Sequence, residues 1–416
     1  MQVAVRMPRS VYEGALRHFR RHPTYPLFGF AGTRKAERFT EFIVPHLAPD
    51  LLFLREHRDQ PAVRVVPYVE SGFTLPFDFE GWRGPVGTMA IEIALGRNGQ
   101  FAGRCGGTGD RRDRLVTQLN IPGHGVLHRT GTKQAARPPH RRRGSGWRER
   151  YSREIGIFGG QTRFAQFRQA RFCVVGAGRT GSLVIHDLAR REPAGIVVVD
   201  PDVMEPHNTP AMDVAPRTRK GTPKVEAIRS FLRRIGYGEL PEGIRSTVLS
   251  QAAFRAAAQA DVLVSAVDHD RGRLEVSMLA TLFLKPHLDL GTGVMEQHGR
   301  THAGFDVRMI VPADGCLLCV GGLPGVNRPR PRDFREERVG STRSLNGAAV
   351  GHGMRLLERF FAGSLQRTVW QRYEETPTGD DRLIAMEHGD RRTCPLCRMQ
   401  GLGERAHRTA LELLMK

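Results

Sequence analysis

A chain of 416 residues exceeds the usual size of one compact domain, so two domains of unequal length are expected. Its composition, 40% apolar and 25% charged, excludes a wholly disordered polymer, and no run approaches the roughly 18 apolar residues that a helical membrane span needs. The formal charge of +20 admits nucleic acid or an acidic protein as partner, but the arginines are scattered without interleaved aromatics, so nucleic acid, with tRNA as the candidate of that kind, is not the expected main partner.

The opening MQVAVRMPRS lacks the apolar block of a secretion signal, which makes the cytoplasm the expected compartment. Residues 1–135 are expected to form the smaller domain, of α+β type. Ala136–Arg150, reading ARPPHRRRGSGWRER, mixes prolines, glycines and a run of arginines without apolar periodicity, the pattern of a basic linker. Beyond it, Ala170–Val175 (ARFCVV) is a short apolar run ending in glycines, and helix-compatible spacing continues over Ser182–Arg190. Gly195–Asp200 (GIVVVD) reads as a second strand, Lys224–Ile235 as a helix and Ala260–Val267 (ADVLVSAV) as a third strand. This alternation predicts an α/β fold over 151–416: a Rossmann-like, mostly parallel sheet with helices on both faces.

Gly176, Gly178 and Gly181 form GAGRTG at the junction of a strand and a helix. Glycines there let the backbone approach phosphate groups, whose charge the free N–H groups and dipole of the helix terminus favour. Asp200 ends the next strand about 20 residues later, the place of a carboxylate that accepts from a ribose hydroxyl. Taken alone, this pattern also fits an oxidoreductase that binds NAD or FAD. Cys316, Cys319, Cys394 and Cys397 make two CxxC pairs, four soft thiolates suited to a closed, structural Zn2+ site.

The stretch beyond Asp200 departs from the dehydrogenase pattern. DPDVMEPHN, then GTPKVEA, then SAVDHDRGR, with RYSRE upstream at Arg150–Glu154, resembles the ThiF/MoeB/HesA family of adenylyltransferases related to ubiquitin-activating enzymes. The resemblance runs in order from about Arg150 to Cys397. It implies ATP-dependent adenylation of the C-terminal glycine of a ubiquitin-like or sulfur-carrier protein, with release of pyrophosphate. By that resemblance, Lys224 would contact the phosphates, Asn208 would orient them and Asp268 would hold Mg2+. Asp200 and Asp202 would lie at the ribose, and Arg153 would reach the nucleotide of a neighbouring subunit in a homodimer. The family usually carries an arginine three positions after the asparagine, where Ala211 stands here; Arg217, Arg219 and Lys220 are the nearby substitutes.

No cysteine lies between Cys319 and Cys394, and Cys173 and Cys105 fall outside any nucleophile position, so no covalent carrier intermediate is expected in this domain. The start, VRMPRSVYEGALRHF and PLFGFAG, resembles a JAB/MPN metal-isopeptidase domain. Its catalytic set cannot be placed: Pro26 stands where the glutamate belongs, and His124 and His128 lack HxH spacing. That implies a degenerate, partner-binding relative. The alternatives to carrier activation are adenylation of a peptide or a modified tRNA base by the same fold, the NAD- or FAD-linked oxidoreductase, and an inactive binding scaffold.

Overall fold

The computed structural model describes residues 2–23, 25–36, 39–49, 60–67, 89–96, 99–107, 114–122, 124–128, 146–214, 216–237, 240–297, 300–321, 323, 341–375, 381–386 and 394–406. Most of the expected linker therefore lies outside the described residues. Two compact units emerge, one of 1–143 with 281–284 and 399–416, the other of 144–280 with 285–398.

In the first unit, β1 (Gln2–Arg6) leads into α1 (Arg9–Arg21), followed by β2 (Leu27–Phe30), β3 (Gly32–Ala36), β4 (Phe39–Ile43), β5 (Ala62–Pro67), β6 (Met89–Leu95), β7 (Phe101–Gly107), β8 (Arg114–Ile121) and β9 (Gly125–His128). They form one mixed sheet in the order β2-β5-β6-β7-β8-β1-β4-β3, with β9 paired to β8. Tyr12, Ala15 and Phe19 recur at helical spacing on α1 and bury against Val5, Val65, Ile93 and Leu119 of the strands. Glu41, fully buried in β4, is neutralised by Arg34 at 2.9 Å and Arg6 at 3.3 Å. Burying a lone carboxylate would be prohibitive, so these arginines are what allow it to stand in the core. His124 packs on the Tyr12 ring, and His128 ends β9.

The second unit carries α2 (Trp147–Arg150), α3 (Ser152–Ile155), α4 (Gln161–Gln169), β10 (Arg171–Val175), α5 (Arg179–Arg190), β11 (Gly195–Val199), α6 (Lys224–Arg234), β12 (Glu242–Ile244), α7 (Gln251–Gln259), β13 (Val262–Ser265), α8 (Asp270–Leu282), β14 (His287–Gln297), β15 (Arg300–Ile310), α9 (Arg343–Phe361), β16 (Val369–Glu374) and β17 (Arg382–Ala385). The sheet order is β12-β11-β10-β13-β14-β15-β16-β17. Pairing is parallel from β12 to β14 and antiparallel from β14 to β17. The antiparallel half was not visible in the sequence as strands, because its strands mix polar and apolar residues without the short apolar runs of β10, β11 and β13.

Helices lie on both faces. Phe172 and Val174 of β10 join a core with Phe164 of α4, Leu188 of α5, Ile228 of α6 and Met354 of α9. Cys173 and Val175 alternate to the other side, where Ala253 and Ala257 of α7 and Leu274 and Leu279 of α8 are also buried, none of them in that core. RYSRE anchors this unit through Tyr151, whose ring lies 5.2 Å from Phe164 and whose hydroxyl donates to the Arg190 carbonyl. Arg150 pairs with Glu192 and Arg191 with Glu154, each at 2.8 Å.

Candidate nucleotide site

β10 and β13 are neighbours, but the chain leaves β10 toward β11 on one side and reaches β13 and β14 on the other. In open parallel sheets the crevice beyond the carboxyl ends of two such strands is where ligands settle. The glycine turn follows β10 and Asp268 follows β13, so both line this crevice.

The three glycines are there for different reasons. Gly176 has φ +95°, and a Cβ on it would lie 2.6 Å from the Ala266 carbonyl oxygen. A Cβ on Gly181 would lie 1.9 Å from the Gly176 carbonyl oxygen, so that glycine lets α5 close onto the turn. Gly178 has φ −79°, and a Cβ there would meet nothing within 4 Å. The protein's own packing demands the first and third glycines; the second faces open space at the start of a 12-residue helix.

The acids and the lysine are held by mutual contacts. Asp200 is buried and accepts from the amides of Ala177 at 2.6 Å and Asp202 at 2.8 Å. Burial raises its pKa above the usual carboxylate value, against the pull of Lys224 and of those two amides. Lys224 Nζ donates to Asp202 at 2.8 Å, while its backbone N–H donates to the Asp202 carbonyl at 3.0 Å. The pairing of Val203 with Pro223 closes the two loops together. The structure thus gathers Gly176, Gly178, Gly181, Asp200, Asp202 and Lys224, with Lys224 already engaged by Asp202.

Asn208 is buried in a 3₁₀ turn, Pro206–Ala211, where its Oδ1 accepts from the Glu205 amide at 2.9 Å and so caps the turn. Arg179 Nη2 donates to the neighbouring His207 carbonyl at 3.3 Å, tying this turn to the glycine turn. Asp268 is exposed two residues beyond Ala266, whose carbonyl abuts Gly176. Ala211 is buried, and Arg217, Arg219 and Lys220 lie exposed on the loop beyond it. Arg153 is exposed on α3, which packs beside α2 and α4.

Sequence reasoning missed a buried polar network beneath Asp268. Ser265 Oγ lies 2.7 Å from His287 Nε2 and 2.5 Å from Asp289 Oδ1. Arg308 pairs with Asp289 at 2.8 Å, and Arg273 donates to the Val267 carbonyl at 3.2 Å, fixing the strand end that presents Asp268. Arg273, five residues past Asp268, was the available signal; His287 and Asp289 had none. Burial raises the Asp289 pKa, but Arg273 and Arg308 outweigh it and hold the carboxyl below its ordinary range. Burial pushes His287 down to about 4 from 6.5, so the imidazole is neutral in the fold. A depressed folded pKa contributes stability that is complete above the unfolded value and lost as pH falls through the folded one. Stability should therefore drop between pH 6.5 and 4 by on the order of 3 kcal/mol, and urea melts of His287→Gln should show a flatter slope across that window.

A second cluster was equally silent in the sequence. Asn346 of α9, with no exposed surface, accepts at Oδ1 from Ser341 Oγ at 2.6 Å, Thr292 Oγ1 at 2.8 Å and Thr180 Oγ1 at 3.3 Å. Among the described residues, its Nδ2 has no hydrogen-bond partner.

The four CxxC sulfurs lie within 4.8 Å of one another, with Cys316 and Cys394 3.5 Å apart and Cys319 and Cys397 3.7 Å apart. Thiolates at ~2.3 Å from a tetrahedral metal would stand ~3.8 Å from each other, so the set fits zinc closely and leaves no open position. Gly315, at φ +104°, and the Cys316 amide, which donates to Cys319 Sγ at 3.2 Å, shape the first knuckle. Cys173 is buried and pushed up to about 12, and Cys105 is buried in β7, so neither is a ready nucleophile. No helix among the described residues is long and apolar enough to cross a membrane.

A SAMP-activating enzyme E1 from Haloferax volcanii is 33% identical over 122 residues, 29% of this chain and 45% of that protein, so the match spans less than half of the relative. Among solved structures, E. coli MccB with MccA-N7isoASN superposes with a TM-score of 0.48 at 18% identity, over 60% of this chain and 74% of that one. PaaA superposes with a TM-score of 0.45 at 13% identity, over 61% and 78%. The sequence pattern of the ThiF family matches residues 151–365, just over half of the chain and the stretch that carries β10 through α9, and on that match the chain belongs to the ThiF family.

Proposed function

We propose that the second unit is an adenylyltransferase that uses ATP to activate the C-terminal glycine carboxylate of a ubiquitin-like or sulfur-carrier protein. The observation that carries this reading is Gly178: a glycine that the fold itself does not need, facing open space at the helix start in the switch-point crevice, between an ordered carboxylate and an exposed one. Membership of the ThiF family and the partial likeness to a SAMP-activating enzyme favour a carrier protein over a dinucleotide.

In the reaction, a carboxylate oxygen of the carrier forms a bond to the α-phosphorus of ATP. The bond from that phosphorus to the bridging oxygen breaks, and pyrophosphate leaves with the electron pair. The residues serve positioning and charge. Asp200, held by two backbone amides, accepts from the ribose, and Asp202 lies beside it. Amides at the start of α5 receive phosphate oxygens, and Lys224 turns from Asp202 to the phosphates when they arrive. Asn208 keeps the 3₁₀ turn in place at the rim. Asp268, exposed at the strand end, would hold Mg2+, which supplies charge neutralisation on the phosphates. Four cysteines hold a structural Zn2+. Arg153, exposed on α3, serves the site of a second copy in a homodimer, and the first unit, a degenerate JAB/MPN-like domain, binds the carrier or its acceptor.

The test is ATP–pyrophosphate exchange with carriers ending in Gly-Gly, read alongside the mass of an AMP-modified carrier. Exchange in the wild type should fall by at least about a hundredfold in Asp268→Ala with no change in melting. Undiminished exchange in that variant removes Asp268 from the mechanism, and absence of exchange with every carrier, peptide and tRNA tested returns the chain to a binding scaffold.

A further inference from the structure

Arg179 occupies a position that the fold alone does not explain. It is the first residue of α5, where unsatisfied amides and the helix dipole already make the surroundings positive, and a cation there is of the wrong sign. Its guanidinium donates from Nη1 to the Ser341 carbonyl at 2.9 Å and from Nη2 to the His207 carbonyl at 3.3 Å. Both acceptors are neutral. Among the described residues it pairs with no carboxylate, whereas Arg191, Arg273, Arg308 and Arg343 of the same unit each do. A guanidinium has five N–H donors, so two carbonyl bonds leave donors and the whole charge available.

The two carbonyls belong to the 3₁₀ turn and to Ser341, two residues ahead of α9, so Arg179 ties both segments to the helix start that follows the glycine turn. The neighbouring group has the same polarity. Asn346, fully buried, shares Ser341 with Arg179 and accepts from Thr180 Oγ1, and its Nδ2 is a donor without an acceptor among the described residues. A buried donor in that state is costly unless something supplies an acceptor. Lys224, the other cation of the site, is already paired with Asp202. An arginine that pairs with no carboxylate among the described residues thus stands at a helix start with an open glycine before it, and the buried amide donor without an acceptor among those residues lies beside Thr180, the next residue of that helix.

We propose that Arg179 is a phosphate-binding residue of this site, with the triphosphate of the nucleotide supplying the anion that its surroundings lack. The inference rests on the reading that a nucleotide lies on the glycine turn. It adds a specificity: the site discriminates by phosphate content as well as by nucleoside.

Equilibrium binding of ATP with magnesium and of adenosine to the full chain tests this, using the wild type, Arg179→Gln and Arg179→Lys. Glutamine keeps N–H donors for the carbonyls and removes the charge. Arg179→Gln should bind ATP about tenfold to a hundredfold more weakly, with adenosine affinity and melting temperature unchanged. Arg179→Lys should recover part of the loss. Unchanged ATP affinity in Arg179→Gln overturns the proposal, as does an equal loss for ATP and adenosine, which would mark a merely structural role. A wild type that binds neither ATP nor adenosine overturns the nucleotide reading itself, and this inference with it.

Discussion

Gly178→Ser should cost ATP affinity at least about tenfold while leaving the melting temperature where it was, whereas Gly181→Ala should lower the melting temperature itself. The contrast follows from what each new Cβ meets. At Gly178 it meets nothing within 4 Å, φ is −79°, and serine is among the residues that helix starts prefer, so the fold tolerates it. What it removes is the close approach of a phosphate to the backbone. At Gly181 the Cβ would sit 1.9 Å from the Gly176 carbonyl oxygen, a backbone atom that cannot move without opening the turn. Overpacking of that kind costs about 1–3 kcal/mol or more, several degrees of melting temperature in a domain of this size. Calorimetry of both variants with and without ATP separates the two effects. Wild-type ATP affinity in Gly178→Ser would mean that no ligand approaches the turn.

The second large effect concerns the cysteines. Cys316 and Cys319 meet Cys394 and Cys397 from 78 residues further along the chain, so a metal shared by the two knuckles closes a long loop. Binding energy of a structural site is folding energy. Purified protein should carry one zinc per chain by elemental analysis. Cys394→Ser, or incubation with a strong chelator, should lower the melting temperature by more than about 10 °C and release the metal. Protein that lacks zinc and melts identically with and without chelator would show instead that the four thiols pack without a metal.

Much of the site was legible because it is local. GAGRTG after an apolar run specifies a strand, a turn and a helix within a few residues, and Asp200 comes at the end of the next strand. The spacing of each CxxC pair specifies a knuckle, and the strands at β10, β11 and β13 announce themselves by short apolar runs. Arg153, Asn208 and Asp268 were reachable only through family resemblance. Of these, the structure shows Asn208 capping its own turn and Arg153 exposed on α3.

By itself, then, the sequence determined the three central strands of the parallel half of the sheet, the glycine turn, the carboxylate that ends β11 and the two cysteine knuckles, because each is written in periodicity or spacing over a short stretch. Tertiary structure decided which glycine stands free, that Arg179 spans carbonyls 28 and 162 residues away, and that Asn346 meets Thr180 across 166 residues. It also buried Ser265, His287 and Asp289 together under Asp268. The physical reason is common to all of these. Strand order and helix packing bring distant residues within hydrogen-bond reach, and no local pattern in the chain records which polar groups will meet once apolar burial has chosen that order.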